Sequence, residues 1–121
     1  MIQPDIRRII AVEAHRLRSG TCPPMIHALG TGETFHITPT PDGFIDQHTG
    51  MRIRVTDGAI LLPEPAAPIS IILEDDVGFA GFDPGAGAHF SGRAGGGSSV
   101  TLYDSRHENF FQYAVVDEHG L

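Results

Sequence analysis

The residues with the clearest potential for chemistry are two histidines and an aspartate in a predicted hairpin. Residues 34–40 and 44–48 flank Pro41, Asp42 and Gly43, a sequence typical of a type I turn closed by a left-handed glycine. This turn places His36 opposite His48, with Asp46 on the same face of the hairpin. Two imidazoles and one carboxylate are the ligands of a facial zinc or iron site with open coordination positions. The sequence therefore predicts a divalent-metal site at His36, Asp46 and His48, with a solvated polar face as the alternative.

A second group of candidate residues lies in the C-terminal strands. Pairing residues 88–93 with residues 98–103, and these with residues 110–116, puts His89 beside Tyr103 on the face away from the core, together with Arg93 and Gln112. If that face lines a barrel lumen or the floor of a cleft, the arginine would bind an anion and the other side chains would orient the ligand. If it is an outer face, the same four residues are simply solvated.

Catalytic motifs of recognisable spacing are missing from the sequence. The glycine-dense residues 78–97 fit neither a dinucleotide-binding nor a P-loop pattern, and their neighbours are typical of strands. Cys22 has no histidine or asparagine at a spacing that would activate it, so we interpret it as a structural thiol. The preferred hypothesis is a non-enzymatic ligand-binding or protein-interaction module. The alternative is a small metal-dependent enzyme that uses His36, Asp46 and His48.

Short β-rich segments separated by turn signals dominate the chain. Residues 33–63 indicate two hairpins, residues 64–68 a proline-rich connector, and residues 69–116 an antiparallel meander. In the last hairpin Leu102 faces Phe111 and Val100 faces Tyr113, which makes one face apolar. These patterns predict a mostly β, single-domain antiparallel barrel or sandwich of about eight or nine short strands, over residues 1–121.

One helix is predicted, over residues 5–19, with Asp5 as its N-cap and Gly20 as its C-terminal stop. Helical spacing separates an apolar stripe from a basic face, so we expect the helix to dock on the sheet and close an end or edge of the β domain. The stripe contains Ile6, Ile9, Ile10, Ala14 and Leu17, and the basic face contains Arg7, Arg8, His15 and Arg18. Glu13 falls within the stripe. We expect it to pair with an arginine of the body, the alternative being a perturbed acid in a pocket.

Charge and composition limit the classes of partner. The net charge is −7; residues 1–20 carry +2, which leaves −9 on the rest. An acidic body disfavours nucleic acid and anionic membranes as partners. The chain has a single cysteine, and we recognise no leader peptide or membrane-spanning segment in it. Both features favour a cytoplasmic protein. The apolar helix stripe and the charge difference predict a homo-oligomer held partly by the helix. No cofactor is predicted beyond the divalent metal, and the sequence identifies no small-molecule or protein partner.

Overall fold

The structure, a computed structural model, describes residues 1–116. They form one helix and ten strands. In chain order these are α1 (Pro4–Ser19), β1 (Met25–Ala28), β2 (Glu33–Thr40), β3 (Gly43–Asp46), β4 (Met51–Thr56), β5 (Ala59–Leu61), β6 (Ile69–Glu74), β7 (Gly78–Asp83), β8 (Ala88–Ala94), β9 (Ser99–Asp104) and β10 (Asn109–Val116).

The strands form a closed antiparallel barrel. Each strand pairs with its neighbours in sequence, and β1 closes the barrel by pairing with β10. The predicted mostly β fold with one N-terminal helix is therefore confirmed, as a barrel of ten strands where eight or nine were expected. The additional strand is β1, in a segment that Pro23, Pro24 and two glycines made resemble a loop. Ile26 is its one fully buried side chain, so the local pattern gave little strand signal.

The helix fills the barrel, which corrects the expectation that it closes an end or edge. Eight consecutive residues of α1, from Arg8 to His15, are buried. A run of that length covers more than two turns, so every side of the helix faces protein. Each of the ten strands contributes at least one buried apolar side chain to the core that contains Ile9, Ile10 and Val12. The basic face predicted for solvent is thus partly interior: Arg8 is 3% exposed and His15 5%.

The ends of α1 match the sequence prediction at one terminus only. Gly20 adopts a left-handed conformation and donates its N–H to the Arg16 carbonyl, which ends the helix as expected. The predicted N-cap was wrong: the helix begins at Pro4 after Gln3, and Asp5 lies in the first turn, where it pairs with Arg8. Within residues 1–116 no helix has the length and hydropathy needed to cross a membrane.

The strand registers show which strand pairings the local alternation of apolar and polar residues predicted correctly. The β9–β10 register is confirmed, with Leu102 opposite Phe111 and Val100 opposite Tyr113. The β8–β9 register slips by two residues, because Ser91 pairs with Tyr103 where His89 was expected. A slip of two leaves each side chain on its predicted face.

The β2–β3 register was predicted wrongly by one residue. Thr40 pairs with Gly43, so the loop is the two residues Pro41 and Asp42, and Gly43 begins the strand. Gly43 has no positive φ. Its missing side chain instead allows close approach to β4, since a Cβ there would overlap the Ile53 carbonyl oxygen. The shift by one moves Asp46 to the inner face of the barrel, opposite Ile37.

Close packing around β8 provides a test of the barrel interior. A Cβ on Gly92 would overlap the Thr101 carbonyl oxygen and the edge of the Phe79 ring, whereas one on Gly97 would meet nothing within 4 Å. We expect Gly92→Ala to lower the free energy of unfolding by about 1–3 kcal/mol, as overpacking does in a dense core. Urea unfolding of both variants measures this. Equal stability of Gly92→Ala and Gly97→Ala would contradict the packing described here.

Candidate functional site

The N-terminal segment is fixed across one end of the barrel by two buried aspartates. The Ile2 backbone N–H donates to Asp104 Oδ2 at 2.7 Å. Arg8 Nε and Nη2 donate to Asp46 Oδ1 and Oδ2 at 3.0 and 2.6 Å. Burial raises the pKa of Asp46, but hydrogen bonds from Arg8 and Thr49 outweigh it, so that pKa lies below the ordinary aspartate value. Both links position the start of α1 at this end.

Beside the start of α1 lies a cavity of about 500 Å³, which we call the mouth cavity. Three parts of the chain line it: the first turn of α1, the β1–β2 hairpin, and the start of β10. Its lining residues are Pro4, Arg7, Arg8, Ala28, Leu29, Gly30, Thr31, Glu33, Phe35, Asn109, Phe110, Phe111, Gln112 and Tyr113. The volume is in the range typical of small-molecule sites.

Arg8 contributes little free charge to the mouth cavity. Besides the two bonds to Asp46, its Nη2 donates to Asp5 Oδ1 at 2.9 Å, and its guanidinium lies 4.0 Å from the centre of the Phe35 ring. Two carboxylates thus surround one guanidinium, giving this group of three side chains a net charge of −1. Arg8 is therefore a structural cation that fixes the helix start to β3.

Arg7 is the second arginine of the mouth cavity, and it has no carboxylate partner at ion-pair distance among residues 1–116. Its Nη1 donates to the Ile2 carbonyl at 2.8 Å, and its guanidinium lies 3.7 Å from the centre of the Phe111 ring. Its buried Nε has no hydrogen-bond acceptor. A guanidinium carries five N–H donors, so this group has capacity for a further acceptor beyond the Ile2 carbonyl.

Tyr113 places a phenol next to Arg7. Burial raises the pKa of Tyr113, an effect that the charge and hydrogen bonding of Arg7 partly offset. The phenol is therefore protonated at neutral pH and is both a donor and an acceptor. With Phe35, Phe110 and Phe111, Tyr113 makes four aromatic residues among the fourteen of the lining. The cavity can thus hold an apolar body against aromatic rings and an anionic group near one guanidinium.

The structure does not bring together the predicted metal trio. Asp46 is fully buried and bound to Arg8, while His36 and His48 are exposed, and His48 lies in the turn after β3 with its ring against Phe35. The one-residue register shift separates the carboxylate from the histidines. In the described part of the chain no three His, Cys, Asp or Glu side chains form a group that could hold a metal ion.

The second predicted group lies on the outer face of the barrel. His89, Arg93 and Gln112 are exposed and Tyr103 is half-buried. His89 and Tyr103 line one shallow cavity of about 490 Å³, and Arg93 and Tyr103 line another of about 280 Å³. Gln112 alone among the four lines the mouth cavity. The structure thus realises the outer-face alternative, and ligand binding by these residues stays a prediction.

Glu13 and Cys22 lie toward the other end of α1. Arg16 of the same helix binds Glu13 with two hydrogen bonds of 2.6 and 2.8 Å, so the partner comes from the helix where an arginine of the body was expected. Burial raises the pKa of Glu13, and Arg16 partly offsets this. Burial also raises the pKa of Cys22 to about 11, which keeps the thiol protonated and weakly nucleophilic at neutral pH.

Sequence reasoning missed Arg7, Phe35 and Tyr113 as site residues. It assigned Arg7 to a solvent-facing side of the helix and gave no role to Phe35. The one available signal was the adjacent pair Arg7 and Arg8 in the first two turns of a helix whose other residues are mostly apolar. Comparison of the chain with protein-family models, with curated proteins and with solved structures found no match.

Proposed function

We propose that this protein is a non-enzymatic ligand-binding module and that the mouth cavity is its binding site. The observation that carries the proposal is the pairing, within one cavity, of four aromatic residues with Arg7, a cation without a carboxylate partner among the described residues. A cavity with a mostly apolar lining and few convergent polar groups is the usual form of a small-molecule site. Mouths of β-barrels are a recurrent location for such sites.

Two further features belong to the proposal. The single cysteine favours a reducing, cytoplasmic location. We retain self-association as a proposal, but through the outer face of the barrel, because the apolar residues of α1 are buried or partly buried within the monomer. Ile72 is 57% exposed and Phe110 is 63% exposed. They lie at the two ends of a row of directly paired residues that crosses the strands from β6 to β10. Between them lie Ala80, Ser91 and Tyr103, and this outer face is the surface through which we expect copies of the chain to associate.

Binding can be tested by titrating the ¹⁵N-labelled protein with 2-naphthoate and 2-naphthamide, which share one flat ring system. At millimolar probe we expect shifts of the backbone amides around Leu29, Gly30 and Phe111, because these line the mouth cavity. Ala28→Trp should abolish the shifts by filling the cavity, whereas Ala80→Trp, on the outer face of β7, should leave them unchanged. If neither probe shifts the mouth amides, the proposed function is wrong.

A further inference from the structure

We propose that the mouth cavity selects organic monoanions, in particular carboxylates on an apolar body, and that Arg7 is the residue that recognises the charge. This inference rests on the proposed function, because it names the class of ligand for that same cavity.

The charges around the cavity favour one negative charge on the ligand. Arg8 is already bound by Asp5 and Asp46, so Arg7 is the arginine left to balance an anion. Glu33 adds a negative charge to the cavity lining, and the chain as a whole carries −7. The second charge of a dianion such as a phosphate monoester would find no further free guanidinium in the cavity lining and would be repelled by Glu33. A monoanion can pair with Arg7 alone.

The hydrogen-bonding state of Arg7 favours a planar acceptor group. A guanidinium carries five N–H donors, and Arg7 uses one of them to donate to the Ile2 carbonyl. Its position over Phe111 fixes the group, so that little side-chain entropy is lost when an anion binds. A carboxylate matches the guanidinium fork, and the charge-assisted hydrogen bonds that result are stronger than neutral ones.

The lining next to Arg7 favours an apolar body on that carboxylate. The Phe111 ring is held by Arg7 and His107, and the Phe35 ring by Arg8 and His48. Together with Ala28 and Leu29 these rings give the cavity a mostly apolar lining. The favoured ligand therefore has a carboxylate at one end and an apolar part at the other.

The test compares four probes with the same naphthalene ring: 2-naphthoate, 2-naphthamide, 2-naphthyl phosphate and 2-naphthylmethylammonium. In the native protein we expect 2-naphthoate to bind about tenfold more tightly than 2-naphthamide, the value of a charge-assisted hydrogen bond. The phosphate should bind no more tightly than the carboxylate, and the ammonium should bind most weakly. Two results would overturn this inference: equal affinity for the carboxylate and the amide, or tighter binding of the phosphate than of the carboxylate. Either result would leave the proposed function standing.

Variants then assign the selectivity to Arg7. In Arg7→Met the carboxylate and the amide should bind with equal affinity, and the affinity for the amide should stay close to that of the native protein. Arg93→Met removes one exposed cation outside the mouth cavity and should preserve the native preference. If Arg7→Met does not fold, Arg7→Lys replaces it, and the carboxylate-to-amide ratio should fall because the planar fork is lost. A native ratio in the folded Arg7 variant overturns the assignment.

Discussion

Removing residues 1–20 should leave a chain that does not fold. The deleted segment contains four fully buried branched aliphatic side chains, Ile2, Ile9, Ile10 and Val12. Burial of each is worth about 1.5–3 kcal/mol, so together they contribute about 6–12 kcal/mol, comparable with the whole stability of a typical domain. The strands would then enclose an empty interior. Far-ultraviolet dichroism and the dispersion of amide signals would show the loss of structure.

A matched pair of point variants controls for effects unrelated to the interior. Ile10→Ala should cost about 2–5 kcal/mol, as a buried large-to-small change. Ile72→Ala makes the same chemical change at a residue 57% exposed on the outer face and should change stability by about 0.5 kcal/mol or less.

The truncation has one outcome that would contradict the buried helix. If the chain without residues 1–20 still unfolds cooperatively and is monomeric, the helix holds an oligomer together, as the sequence analysis predicted.

Asp46→Asn should destabilise the protein by about 3–5 kcal/mol, because it leaves the buried guanidinium of Arg8 with only the half-exposed Asp5 as its charge partner. Arg8 donates to both carboxylate oxygens of Asp46, and Thr49 Oγ1 donates to Oδ2 at 2.6 Å. An amide can accept at only one of those positions. Thermal and urea unfolding at neutral pH measure the loss.

Asp42→Asn is the matched control for this prediction. The Asp42 carboxylate also accepts from an arginine, Arg52 Nη2 at 2.9 Å, but both side chains are about half exposed. Exposed pairs of this kind contribute about 0–1 kcal/mol. Equal losses from the two variants would show that the Arg8–Asp46 pair is not the anchor that we describe.

The pH dependence of the Asp46 effect has a defined sign. The pKa of Asp46 is lowered in the folded protein, so its carboxylate stabilises the fold at pH above its unfolded value, which is about 3.9. This contribution is lost as the pH falls through the lower, folded pKa. The stability difference between the native protein and Asp46→Asn should therefore be largest near neutral pH and shrink below about pH 4.

Local pattern was enough to determine two hairpins, β4–β5 and β9–β10. Alternation of apolar and polar residues in β9 and β10 fixed both their faces and their register, because a short polar loop joins them and one face must be apolar. The same holds for the second hairpin predicted within residues 33–63, formed by β4 and β5, which the two residues Asp57 and Gly58 join. Gly20 determined the end of the helix, since a left-handed residue there cannot continue it.

The tertiary structure alone decided what surrounds the helix and where the site lies. Arg8 is a charged residue in the buried part of α1, and local periodicity could not show that Asp46, 38 residues away, would pair with it. The β2–β3 register depended on the contact of Gly43 with β4, which the turn sequence does not contain. The mouth cavity joins Arg7 to Phe111, more than one hundred positions apart, because only closure of the barrel by β1 and β10 brings the two ends of the chain together.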